Sequence, residues 1–277
     1  MELVETISDM VTLRGNITDS VGFVPTMGYL HDGHLSLVKQ SSIDNHTTIV
    51  SIFVNPTQFG PKEDFRTYPR NIEHDLALLK KINTAIVFMP ASQEMYPQGF
   101  SSWVDVQKIT DRLEGEYRPG HFKGVTTVVA KLFNIVRPTR AYFGQKDAQQ
   151  ALVIKKMVVD LNMNIDIIVA PTIREKDGLA MSSRNTYLNP QERQASTVLF
   201  KALTKAQQLW ESGNIKAAGL RQEMISMINK EPLAKIQYIS IADAQTLEEL
   251  DEINKQALVS LAVKIGKTRL IDNITLE

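Results

Sequence analysis

The sequence predicts an α/β fold: a parallel sheet flanked by helices on both faces, followed by a smaller α+β domain. Short apolar runs alternate with helical patterns as far as Pro171, the order that a sheet built from crossover units requires. Within that stretch, Thr47-Thr48-Ile49-Val50-Ser51-Ile52-Phe53-Val54 is rich in β-branched residues, as a strand covered on both faces should be. After Pro171 the alternation stops, and helices come first with strands after them.

Element by element, Val21-Gly22-Phe23-Val24 is the first strand, and a loop leads from it to a helix over 34–44. The β-branched run is the second strand; a helix over 70–81 and a strand over 85–88 follow. The plainest helix covers 124–136, where Val125, Val128, Val129, Leu132, Phe133 and Val136 repeat at the spacing of one buried face. Arg137-Pro138 ends it, and a strand over 139–143, a helix over 147–161 and a strand over 165–170 complete the first half. Helices over 190–211 and 214–230 then precede strands over 236–242 and 257–265. Gly266-Lys267 forms a two-residue turn into a last strand over 268–274. The predicted division is 1–172 and 173–277.

Composition narrows the function. A chain of 277 residues, 43% hydrophobic and 22% charged, is long enough to bury one or two domain cores. Lys+Arg and Asp+Glu both number 31, and this zero formal charge argues against a general nucleic-acid or membrane-surface binder. The absence of cysteine excludes disulfides and thiolate metal sites. MELVETISDMVTLRG lacks the basic-then-apolar layout of a signal peptide, and no apolar run approaches the roughly 20 residues of a membrane span. A cytoplasmic location with no membrane or nucleic-acid partner is expected.

Three segments carry chemistry. The first, Pro25-Thr26-Met27-Gly28-Tyr29-Leu30-His31-Asp32-Gly33-His34, joins a strand to a helix start. Its glycines permit a sharp turn and close approach to a ligand, and the helix start offers unpaired N–H groups to phosphate. His31 and His34, three residues apart, could stabilise charge there; they also fit a surface turn or, with less support, a metal pair. The second segment, Phe143-Gly144-Gln145-Lys146-Asp147-Ala148-Gln149-Gln150, is again a strand end and helix start. Lys146 can meet phosphate and Asp147 can cap the helix or bind ribose hydroxyls, although a simply capped helix has the same pattern. The third, Met181-Ser182-Ser183-Arg184-Asn185, suits a phosphate-binding loop and equally an ordinary Ser-rich one. Gln58 after the second strand can make an amide contact to a substrate, and Arg118-Pro119-Gly120-His121-Phe122 before the long helix adds another cationic position. His46 and His74 are expected at the surface without partners.

Taken in order, PTMGYLHDGH, FVNPTQFGPKEDFRTYPR, YRPGHFKGV, FGQKDAQQ and LAMSSRN resemble the pantothenate synthetase family. The first and last also resemble the HIGH and KMSKS elements of the wider nucleotidyltransferases. The resemblance implies a Rossmann-like domain followed by a smaller α+β domain, in a homodimer. It implies that ATP, with Mg²⁺, activates pantoate as an acyl-adenylate, which the amine of β-alanine then attacks. It assigns His34, His31, Lys146 and Arg184 to catalysis. Met27, Gly28, Tyr29, Leu30, His31, Asp32, Gly33, His34, Gly144, Gln145, Lys146, Asp147, Ile173, Met181, Ser182, Ser183 and Arg184 would hold ATP. Pro25, Met27, Gln58 and Gln150 would hold the acid and the amine, and no protein metal cage is implied. Gln145 and Ala148 depart from the Glu and aromatic residue common at those positions, without removing a charged group from the mechanism. Alternatives are another nucleotidyltransferase, an aminoacyl-tRNA synthetase, which the short neutral chain disfavours, and a catalytically inert nucleotide-binding protein.

Overall fold

Strand β2 (Val21–Thr26) shows how the first sheet is covered. Val21 and Phe23 enter one apolar cluster and Val24 enters another, because successive side chains leave a strand on opposite faces. The same alternation holds in β3 (Thr47–Ile52), with Ile49 against Val50, and in β4 (Ile86–Phe88), with Ile86 and Phe88 against Val87. It recurs in β5 (Arg140–Gly144), where Ala141 and Phe143 oppose Tyr142. With β1 (Glu2–Val4) and β6 (Asp166–Ala170) these strands form one parallel sheet in the order β1-β4-β3-β2-β5-β6.

Helices cover both faces. Helix α1 (Ile7–Gly15) contributes Met10 to the first cluster, while α2 (Asp32–Asp44) and α3 (Ile72–Lys81) contribute Leu37, Val38 and Leu79 to the second. Two single-turn helices, α4 (Ser92–Met95) and α5 (Glu114–Tyr117), precede α6 (His121–Val136). Helix α6 and α7 (Ala148–Asp160) supply most of the first cluster, from Phe122 to Val158. From β2 the chain moves outward through β3 to β4, then returns to place β5 on the other side of β2. Strand order therefore reverses between β2 and β5, and open α/β sheets bind ligands beyond the carboxyl ends of the strands at such a point.

The computed structural model describes residues 1–82 and 84–277, which divide into two units: 1–145 with 149–171, and 146–148 with 172–277. The second unit packs α8 (Pro190–Ala195), α9 (Val198–Glu211) and α10 (Ala217–Ile228) on an antiparallel sheet of β7 (Ala234–Asp243), β8 (Ala257–Ile265) and β9 (Thr268–Leu276). Ile265 pairs with Thr268, so Gly266-Lys267 is the predicted two-residue hairpin, with Gly266 at a φ of 57°.

Several boundaries differ from the sequence reading. The helix expected over 190–211 breaks at Ser196-Thr197, whose hydroxyls donate to the carbonyls of Arg193 and Gln194 and so compete with the helical ladder. Helix α10 starts at Ala217 rather than at 214, because the Asn214 side chain accepts the Lys216 N–H in a turn. Helix α6 begins three residues early, at His121, directly after Gly120 at a φ of 82°. Among the described residues no helix is long and apolar enough to cross a membrane.

Candidate active site

The loop after β2 is held from beneath by a carboxylate the sequence did not single out. Asp75, buried in α3, accepts the N–H of Tyr29 and of Leu30, each at 2.7 Å. Thr26 Oγ1 accepts the Gly28 N–H at 3.1 Å and donates to the Ser51 carbonyl at 2.8 Å. Gly28 sits at a φ of 79°, and an added Cβ there would lie 3.0 Å from the Asp75 carboxylate, so the turn requires glycine on two counts. Burial raises the Asp75 pKa and outweighs the opposing N–H bonds from Leu30 and Tyr29.

Held this way, the loop delivers two histidines to the start of α2. The helix begins at Asp32, two residues before the sequence reading, so His31 is its cap and His34 its third residue. His31 Nδ1 accepts the Gly33 N–H at 3.2 Å, and His34 Nδ1 accepts the His31 N–H at 3.3 Å. The two imidazoles thus form a reciprocal capping box, with ring centroids 4.1 Å apart. With both Nδ1 atoms accepting, each neutral ring carries its proton on Nε2 and is a hydrogen-bond donor there.

Gln58 comes to the same loop. It ends a short 3₁₀ turn (Pro56–Gln58) capped by Asn55, and its Nε2 lies 3.2 Å from the Met27 sulfur. Asn55 Nδ2 donates to Gln58 Oε1 at 3.0 Å and to the Gly124 carbonyl at 3.1 Å. The Tyr96 hydroxyl and the Thr57 hydroxyl both donate to Asn55 Oδ1, at 2.8 and 2.9 Å. Because Oε1 is occupied by Asn55 and a thioether is a weak acceptor, Gln58 offers its NH₂ group.

The backbone of Gln58 is fixed as firmly. His121 Nδ1 donates to the Gln58 carbonyl at 2.8 Å, while His121 Nε2 accepts from Arg118 at 3.0 Å. Arg118 also holds Glu63 through two bonds of 2.6 and 2.8 Å. Burial, and then the Arg118 charge, push the His121 pKa down to about 4. Burial works to raise the Glu63 carboxyl, but the Arg118 bonds win and keep it below the ordinary range.

The His121 shift predicts a pH dependence of stability. In the unfolded chain this imidazole protonates near pH 6.5, whereas in the folded protein it stays neutral down to about pH 4. Its contribution is therefore complete above pH 6.5 and is lost as pH falls through about 4, at most about 3 kcal/mol on the scale of one pKa unit per 1.4 kcal/mol. Urea midpoints recorded from pH 7 to 4 should fall more steeply for the natural chain than for His121→Gln; parallel curves would show that the imidazole is not buried neutral.

In the segment after β5, Gly144 ends the strand, and a 3₁₀ turn (Gln145–Asp147) stands where the sequence reading started a helix at Asp147. Lys146 Nζ lies 3.7 Å from Asp147 Oδ1, so Asp147 forms an ion pair. Gln150 lies partly buried in the first turn of α7, while its neighbour Gln149, which the sequence left without a role, is a structural linchpin. Gln149 Nε2 donates to the carbonyls of Ile109 and Arg112, each at 2.8 Å, and its Oε1 accepts the Glu114 N–H at 2.9 Å.

The Ser-rich segment is a turn and not an irregular loop. Ser182 caps a 3₁₀ helix (Ser183–Tyr187) by accepting the Arg184 N–H at 3.3 Å, and Ser183 is buried. The Met181 N–H donates to the Ile173 carbonyl at 3.0 Å, which joins two predicted nucleotide residues. His74 is exposed as expected, but His46, expected without a partner, has Nδ1 3.3 Å from Ser20 Oγ. Among the described residues no group of three or more His, Cys, Asp or Glu side chains could hold a metal ion.

A cavity of about 470 Å³ lies at the opposite, amino-terminal end of the sheet, lined by Arg14, Arg137, Thr139 and Asp166. Arg14 there is taken up by the carbonyls of Val136, Arg137 and Ile17. It neutralises the carbonyl end of α6.

The sequence model of the family described as pantoate-beta-alanine ligase matches residues 2–275. A protein named pantothenate synthetase from Herpetosiphon aurantiacus is 57% identical over 277 residues, covering all of both chains. One of the same name from Acetivibrio thermocellus is 55% identical over 280 residues, again covering both completely. The crystal structure of pantothenate synthetase from Thermus thermophilus superposes with a TM-score of 0.95 at 43% identity, covering 99% of each chain. That of pantoate-beta-alanine ligase from Francisella tularensis, complexed with beta-gamma ATP and beta-alanine, gives 0.83 at 36% identity, covering 99% of this chain and 97% of that one.

Proposed function

The chain belongs to the pantoate-beta-alanine ligase family, and from that premise we propose that it condenses pantoate with β-alanine through a pantoyl-adenylate. A pantoate carboxylate oxygen attacks the α-phosphorus of ATP, the bond to pyrophosphate breaks, and pyrophosphate leaves. The β-alanine amine then attacks the acyl carbon, the bond to AMP breaks, and the amine gives up a proton as the amide forms. A free carboxylate is a poor acyl donor, whereas its mixed anhydride with AMP carries a good leaving group.

The observation that supports this reading best is the capping box of His31 and His34. Two Nε2–H donors at a helix start suit the charge that builds on phosphate oxygens as the α-phosphorus is attacked. No proton transfer is needed in that step, so both histidines act as neutral stabilisers. On this reading ATP is held by Met27, Gly28, Tyr29, Leu30, His31, Asp32, Gly33 and His34. Gly144, Gln145, Lys146, Asp147, Ile173, Met181, Ser182, Ser183 and Arg184 hold it as well. Pro25, Met27, Gln58 and Gln150 hold pantoate, with the Gln58 NH₂ group facing the acid and near the incoming β-alanine. Mg²⁺ carried on ATP would offset the charge of its phosphates, with Lys146 and Arg184 as the cationic side chains beside it.

Labelled pyrophosphate should exchange into ATP only when pantoate is present, and adding β-alanine should release AMP and pyrophosphate. Release of ADP and phosphate would overturn the adenylate. The exchange rate should stay flat from about pH 7.5 to 9, where an essential imidazolium acid would make it fall with rising pH. The family reading also carries a cytoplasmic homodimer; light scattering that returned the mass of a single chain would count against the dimer.

A further inference from the structure

Asp272 in β9 is 2% exposed and receives both arms of Arg174, at 2.6 and 3.0 Å. Arg174 donates as well to the carbonyls of Gly178, at 3.1 Å, and Asn273, at 3.3 Å, and stacks 4.1 Å above the Phe200 ring. The next residue, Asn273, is 4% exposed and donates from Nδ2 to the Lys146 carbonyl at 2.9 Å. All of these residues belong to the second unit.

The cluster thus touches two segments that the proposed reaction assigns to ATP. On one side, Asn273 holds the main chain of Lys146 from 127 residues away in sequence. On the other, Arg174 begins a small hairpin: it bridges Ala180, Glu175 donates its N–H to the Leu179 carbonyl at 2.8 Å, and Met181 donates its N–H to the Ile173 carbonyl at 3.0 Å. That hairpin ends at Met181, immediately before Ser182 and Arg184. We propose that Asn273, with the Arg174–Asp272 pair behind it, positions both ATP-binding segments: Asn273 sets Lys146 by its carbonyl, and Arg174 sets the hairpin that delivers Ser182 and Arg184.

Stability alone does not account for the arrangement. A buried ion pair recovers little more than its own desolvation cost, and apolar side chains of the same volume would serve the core as well. A bidentate guanidinium fixes direction, which packing alone does not. The anchoring of a backbone carbonyl in a 3₁₀ turn, where water could serve, points the same way.

The inference rests on the proposed adenylation, and two variants of the full chain test it. Asn273→Asp keeps the shape, removes the donor and sets a carboxylate against the Lys146 carbonyl; Asn273→Ala removes the donor without adding charge. Each should raise the Kd for ATP, measured by calorimetry without pantoate, about tenfold. Each should also lower kcat and raise the KM for ATP in pyrophosphate exchange while leaving the KM for pantoate unchanged. A merely structural residue would lower the active fraction and leave both KM values alone, and that result would overturn the proposal. So would natural ATP affinity and exchange in Asn273→Ala, which decides the matter if Asn273→Asp does not fold. If the natural chain itself shows no pantoate-dependent exchange, the adenylation reading fails, while the calorimetric arm still reports on the anchor.

Discussion

Lys146→Ala should slow pantoate-dependent pyrophosphate exchange by about 10²- to 10³-fold, the effect of removing one fixed stabiliser of transition-state charge. The side chain is only 20% exposed, with Asp147 Oδ1 3.7 Å from its Nζ, so its charge acts where water screens little of it. In the proposed adenylation, negative charge accumulates on the departing pyrophosphate as its bond to the α-phosphorus breaks, and an ammonium group placed beside it would lower that barrier. The loss should therefore fall mainly on kcat; a rise in the KM for ATP with kcat unchanged would mean that Lys146 binds ATP and its transition state alike. Lys146→Arg should restore little, since a planar fork does not reproduce a compact point charge. Exchange unimpaired in Lys146→Ala would remove the residue from the mechanism.

That Lys146 is a candidate could be read from Gly144-Gln145-Lys146-Asp147 at a strand end, but what holds it could not. Local patterns carried far: the alternation of β2, β3 and β5 and the spacing in α6 place the sheet and its longest helix within a few residues. Elements with little local signal were missed. Strand β1 is only three residues long and pairs at the sheet edge with β4, so no run of alternation marks it. Helix α1 did carry a signal, since Thr6 accepts the Asp9 N–H in a cap of the Thr-x-x-Asp kind. The supporting residues of the site were illegible for a different reason. Asp75 meets Tyr29 and Leu30 from 46 and 45 residues away, and Asn273 meets Lys146 from 127. Contacts of that separation are set by topology and leave no periodicity in the sequence. Even His31 and His34, found by their spacing, were read as two parallel donors; their mutual capping of α2 shows only in three dimensions.

Gly124→Ala tests the turn that carries Gln58, where helix propensity and packing disagree in sign. Gly124 is the fourth residue of α6, and helix propensity alone would favour alanine there by about 1 kcal/mol. Its carbonyl accepts from Asn55, and the turn that carries Gln58 crosses directly over it. A Cβ would fall 2.4 Å from the Thr57 carbonyl oxygen, 2.6 Å from its carbon and 2.7 Å from the Gln58 nitrogen. These are backbone atoms on a turn already fixed by Asn55, His121 and Arg118, so no flexible side-chain end can yield. The clash should win, costing about 3 kcal/mol or more in overpacking. It should also push the turn away from α6 and Gln58 out of line with Met27. In a folded fraction the KM for pantoate should then rise while the Kd for ATP stays near that of the natural chain, which separates a displaced Gln58 from general unfolding. A variant as stable as the natural chain would show that α6 and the Gln58 turn are not in the close contact on which the placement of the acid depends.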